Sequence, residues 1–149
     1  MAVVDQMLRR WRAGNAAMRP GASEDAIEAF ERRHSAPLPK DFRRYLQLAN
    51  GAEPADDLFA FWPIEDIRPV EIELAGVHPD QDLFPGCFVF CDWGIHAWLY
   101  AIQLQGSAER RGNVFVVEVN GTRRPPIAAS FSDWVTKYLR DARELSPSS

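Results

Sequence analysis

Cys87-Phe88-Val89-Phe90-Cys91 is a run of five apolar residues, closed by Asp92-Trp93-Gly94. Aromatic and β-branched residues dominate it and a glycine turn follows, so the run predicts a strand over 87–91. Two more runs of the same kind come in series, Ala97 to Leu104 and Val114 to Val119. The first pair is joined around Trp93-Gly94. Gln105 to Asn113 contains Gly106, Ser107 and Gly112 and reads as an exposed loop. Asn120-Gly121 is a hairpin-turn signal. Three such strands in series predict an antiparallel meander.

Upstream the apolar period changes. Phe42, Tyr45, Leu46 and Ala49 recur at helical spacing after Leu38-Pro39, and Pro39 suits a helix opening because the N–H it lacks would be unpaired there. This helix is expected over 40–49, with Asn50-Gly51 as its left-handed stop. Another is expected over 24–34. Ser23 is its N-cap, Glu24 and Asp25 suit its dipole, and Ala26, Ile27, Ala29 and Phe30 form its buried stripe. Val4, Met7, Leu8 and Trp11 mark a first helix, ended by Pro20-Gly21. Leu58 to Trp62 reads as a short strand stopped by Pro63, with a helical turn at 64–67. Segment 68–86 carries Pro69, Pro79 and Pro85 and reads as acidic and irregular.

Downstream, Ser130-Phe131-Ser132-Asp133 is close to a capping box and opens a helix near 131–142, with Phe131, Trp134, Val135, Tyr138 and Leu139 inward. Helices, then a meander, then a helix predict an α+β single domain: one antiparallel β-sheet packed with N-terminal and C-terminal helices. The tail over 146–149 is expected to fray.

With 149 residues, 46% of them hydrophobic, the chain can build one core. It has no run of about 18 apolar residues and no basic-then-apolar opening, so the expectation is a cytoplasmic chain without a membrane span or secretory signal. Cys87 and Cys91 share a face of a regular strand about 13 Å apart, too far for a disulfide, and read as buried thiols in a reducing compartment.

Charge is unevenly spread. The net charge is −4, yet between Ala52 and Asp92 ten acids face one base, Arg68. Such asymmetry steers a basic partner or simply keeps a connecting region soluble.

Little in the sequence points to catalysis. No glycine-rich phosphate loop and no nucleophile elbow is present. His34 ends a polar helix, a routine place for a cation. His78-Pro79-Asp80-Gln81-Asp82 offers one imidazole and two carboxylates but lacks the glycine and distal glutamate of a calcium loop, so no metal or other cofactor is expected. Cys91 and His96 flank a turn near Asp92, and a Cys–His pair is geometrically conceivable there. The basic clusters Arg9-Arg10-Arg12, Arg32-Arg33, Arg43-Arg44, Arg110-Arg111 and Arg123-Arg124 are short and scattered. They read as solvated faces, not as a nucleic-acid footprint.

Ala26 to Glu31, Leu38-Pro39 through Leu46, and Asn50-Gly51 together resemble the opening of the SUKH superfamily, which includes the fungal Smi/Knr-type regulators and many bacterial relatives. Phe61-Trp62-Pro63-Ile64-Glu65-Asp66-Ile67, the hairpin from Phe88 to Ile102, and Ala129 to Val135 are similar to later elements of that family. The resemblance spans roughly 23–142; Ala52 after Asn50-Gly51, and the single glycine of the Cys91–Gly94 turn, depart from its glycine-rich pattern. Residues 1–20 then form a helix outside the resemblance, and 21–145 the family domain. The resemblance implies a non-catalytic protein-binding domain, either an immunity protein neutralising a toxin, nucleases among them, or a regulatory scaffold module. A Cys–His hydrolase stays as the remote alternative.

The expected partner is a protein, a basic toxin domain, met by a face near the Asp92-Trp93 turn. Asp56, Asp57, Glu65, Asp66, Asp80, Asp82 and Asp92 supply its negative charge, and Trp93 its amphipathic anchor. Trp62, Trp98 and Trp134 are assigned to packing.

Overall fold

Strand β5 (Cys87–Trp93) is the axis of the molecule, pairing on one side with β6 (Trp98–Gln103) and on the other with two short strands end to end. A computed structural model describes residues 2–14, 16–54, 57–79 and 81–147. Its other elements are α1 (Val3–Ala13), β1 (Met18–Pro20), α2 (Glu24–His34), α3 (Lys40–Leu48), β2 (Ala49–Ala52), β3 (Phe59–Phe61), β4 (Arg68–Pro69), α4 (Val70–Glu73), β7 (Val114–Val117) and α5 (Phe131–Asp141). A 3₁₀ turn, Ala142–Leu145, follows α5. The sheet runs β1-β2-β3-β5-β6-β7, with β4 beside β3 on the edge of β5, and every pairing is antiparallel. The chain is the single α+β domain its patterning predicts.

The strands lack a polar–apolar alternation because both faces of the sheet are covered. One face carries Phe59, Phe61, Phe88, Phe90 and Tyr100, which meet rings from Phe30, Phe42, Phe131, Trp134 and Tyr138 on the helices. On the other, Phe115 packs against Phe84, and Ile64, Ile67, Val70 and Leu74 from segment 62–86 are buried with it. That segment is a strap rather than a loose loop.

The capped helices form where expected. The Ser23 hydroxyl accepts the Ala26 N–H, and the Ser130 hydroxyl accepts the Asp133 N–H. Asp133 closes the box from outside, accepting the Ala129 N–H. Of the tail, Ser148 and Ser149 lie outside the described residues.

Four expectations are corrected. Asn50-Gly51 is not a helix stop: α3 ends at Leu48, and Ala49 is already extended, opening β2. Gly51 has φ +84°, and β2 and β3 approach so closely that a Cβ there would lie 2.4 Å from the Phe61 carbonyl oxygen, so glycine is required on both counts. Pro20-Gly21, expected to end the first helix, lies beyond it: that helix ends at Ala13, and Met18–Pro20 is a strand paired with β2. Segment 68–86 is not wholly irregular, since β4 pairs with Phe88 and Val89 and α4 follows. Pro69 is tolerated because β4 is an outer strand. Asn120-Gly121 does turn, with the Gly121 N–H bonded to the Glu118 carbonyl, but no ladder follows beyond one bridge, Val114 to Ala128. Pro125-Pro126 has no N–H groups to extend it.

The cysteines are free and buried, but not on one face. A bulge at Phe90 puts two residues opposite Tyr100, which turns Cys91 to the helix side while Cys87 stays on the strap side. Burial pushes the Cys87 thiol up to about 12 and the Cys91 thiol well above its ordinary value. Neither should react with a thiol reagent at pH 8 until the chain unfolds, and labelling of the native protein within minutes would contradict this. The stability Cys87 confers is present below its unfolded value near 9 and drains as pH rises towards about 12, because only the unfolded thiol ionises in that interval.

Candidate partner-binding face

Asp92 is the innermost of the expected site residues. It is buried, and its carboxylate accepts the indole N–H of Trp62 at 2.8 Å and the backbone N–H of His96 at 3.1 Å. The His96 ring lies against Trp62, with Nε2 3.7 Å from Asp92. Asp92 therefore shapes the β5–β6 turn from within.

Asp57 also faces inward. Its carboxylate accepts the Phe59 N–H and the Tyr138 hydroxyl, and its carbonyl accepts the indole N–H of Trp93. Trp93 is partly buried and stacks on Trp98, ring centres 4.3 Å apart and planes 11° from parallel. Trp62 and Trp134 are buried. Glu65 and Asp66 are exposed: Glu65 accepts from the Asn50 amide, and Asp66 lines a hollow of about 260 Å³ with Trp62, Arg68 and His96. Asp82 sits elsewhere, beside His34, Glu71 and Cys87 at the far end of β5. That end and Trp93 are the two ends of a seven-residue strand, about 20 Å apart. Asp56 and Asp80 lie outside the described residues. The fold thus brings Asp57, Asp66, Asp92 and Trp93 around one hairpin tip and sets Asp82 apart.

The tip holds residues that charge counting missed. Gly94, Ile95 and His96 have φ of +63°, +56° and +64°, and Leu58 beside them has +66°. The Leu58 carbonyl accepts the Gly94 N–H, and the Trp93 carbonyl accepts the Ala97 N–H, so the turn is clamped. Ile95 is 91% exposed and Leu58 48%. A β-branched side chain in the left-handed region costs about 1–2 kcal/mol, and exposed it returns nothing to the core. The signal was in the sequence, as an isoleucine next to the turn glycine.

Asparagine tolerates this backbone better than a β-branched residue and adds less freedom to the unfolded chain than glycine would. Ile95→Asn should therefore raise stability by about 0.5–1 kcal/mol, read as a higher urea midpoint at unchanged m. A lower midpoint would show that Ile95 packs within its own chain.

A thiol nucleophile finds no support here. Cys91 is fully buried, and burial, then Asp92 and Asp57, push its ionisation upward. Among the described residues, no helix is long and apolar enough to cross a membrane.

Compared with known families, the chain matches the one described as the SMI1 / KNR4 family (SUKH-1), over residues 21–137. No curated protein matches the chain.

Proposed function

The chain belongs to the SMI1 / KNR4 (SUKH-1) family, and from that premise we propose that it works by binding protein, as a cytoplasmic immunity-type inhibitor of a basic toxin domain. Ile95 is the observation that carries the binding role: a strained, almost fully exposed apolar side chain that nothing among the described residues covers. Such a residue fits a partner's pocket, with Leu58 and the Trp93–Trp98 stack as its surround. Asp57 and Asp92 hold the tip in shape. Glu65 and Asp66 face outward, and with Asp56, Asp80 and Asp82 they supply the field that draws a basic partner in. Nuclease toxins are basic because they bind phosphates, which makes them suited to this field.

The test is the reading frame beside this gene. Expressed alone it should arrest growth, and co-expression of this chain should restore growth through a purifiable complex. A harmless neighbour, or toxicity left intact, overturns the immunity reading in favour of a regulatory module. In that complex, Asp66→Lys with Asp82→Lys should lower the on-rate about tenfold at low salt and leave Tm nearly unchanged. An on-rate indifferent to both the reversal and added salt would reduce the acids to solubilising groups.

A further inference from the structure

In sequence, Arg110-Arg111 and Arg123-Arg124 are two unrelated basic pairs; the fold brings Arg110, Arg123 and Arg124 to one trough, with Arg111 next to it in the chain. Arg110 and Arg123 line an open hollow of about 830 Å³ together with Gly86, Gln103 and one carboxylate, Glu109, so the lining carries two cations against one anion. It shares Gln103, Arg110 and Arg123 with a second hollow of about 490 Å³ that Arg124 also lines. Arg123 is held in place: its guanidinium donates to the Leu83 carbonyl and lies 5.3 and 5.2 Å from the ring centres of Phe84 and Phe115. Arg124 is paired with Glu118, but among the described residues no carboxylate pairs with Arg110, Arg111 or Arg123. In a chain of net charge −4, three cations with no carboxylate partner among the described residues stand out. They sit at the Gln103 end of β6, the opposite end from Ile95.

We propose that this trough is a second docking site, distinct from the hairpin tip, and that it takes an acidic polypeptide segment from a partner protein. Planar guanidinium groups suit carboxylates two at a time. Single-stranded nucleic acid fits less well, because the arginine itself covers the two aromatic rings, leaving no open face for a base to stack on. The site is independent of the toxin reading, since it uses neither Ile95 nor the acids.

A fluorescein-labelled hexaglutamate peptide, titrated into the intact protein in about 50 mM salt, tests it by anisotropy. Saturable binding is expected, weakened at least about tenfold by Arg110→Glu with Arg111→Glu, both exposed loop residues whose reversal should leave Tm unchanged. Arg9→Glu with Arg12→Glu, on the exposed face of α1, should leave the affinity unchanged. No saturable binding overturns the proposal. So does an equal loss from the α1 reversal, which means general charge attraction. Tighter binding of a single-stranded hexanucleotide makes the trough a nucleic-acid site instead. A dimer in sedimentation that Arg110→Glu dissolves would mean that the occupant is a second copy.

Discussion

Trp134→Ala should lower the free energy of unfolding by about 3–5 kcal/mol, at the top of the range for a buried aromatic. For a chain of this size that is roughly 6–20 °C in Tm. Trp134 is fully buried, and its ring meets those of Phe59, Phe61, Phe90, Tyr100, Phe131 and Tyr138 at centroid distances of 5.3 to 6.2 Å. These rings come from β3, β5, β6 and α5, so the cavity opens where sheet and helix meet and no single element can collapse to fill it. Trp134→Phe should recover more than half the loss. It keeps most of the ring and removes an indole N–H that finds no partner among the described residues. Chemical unfolding of both variants gives the numbers, and a loss below about 1 kcal/mol for alanine would place the core elsewhere.

Trp11→Ala should cost about as much, about 3–5 kcal/mol. The family match begins at residue 21, so α1 could be taken for an appendage. Its packing says otherwise. Val4, Met7, Leu8 and Trp11 are buried, and the Trp11 ring lies 4.7 Å from Phe61 and 6.3 Å from Tyr45. The indole N–H donates to the Tyr138 hydroxyl, which in turn donates to Asp57. Alanine removes the ring and leaves Tyr138 one bond short. An appendage would lose less than about 1 kcal/mol, and unfolding followed by both circular dichroism and tryptophan fluorescence would then split into two transitions.

The helices were legible because their signals are local. Ser23 and Ser130 cap within three residues, and the stripes of α1, α2, α3 and α5 repeat inside one element. Strands β5, β6 and β7 were legible as apolar runs. The short strands β1, β2 and β4 were not, since each has two to four residues and exists only because a distant strand offers its edge. Gly51 shows the limit. A positive φ was foreseeable from Asn50-Gly51, but the close approach of Phe61, which leaves no room for a Cβ, lies ten residues further on. The site was legible in composition and not in direction. Counting carboxylates cannot tell Asp92, which bonds inward to Trp62, from Asp66, which faces water. Nor could it tell that Arg110 shares one trough with Arg123 and Arg124.

On the binding role proposed for it, Ile95 would set selection for fold against selection for recognition at one codon. The scaffold gains nothing from it, since the clamps on the turn run through the Asp92 carboxylate and the Leu58 and Trp93 carbonyls, none of which depends on that side chain. If the tip binds as proposed, recognition can be rewritten there without any debt to the core, so closely related chains can diverge in partner while keeping the same architecture. The converse also holds. In a lineage whose partner disappears, nothing retains the isoleucine, and drift should carry position 95 to asparagine or glycine before any core residue changes.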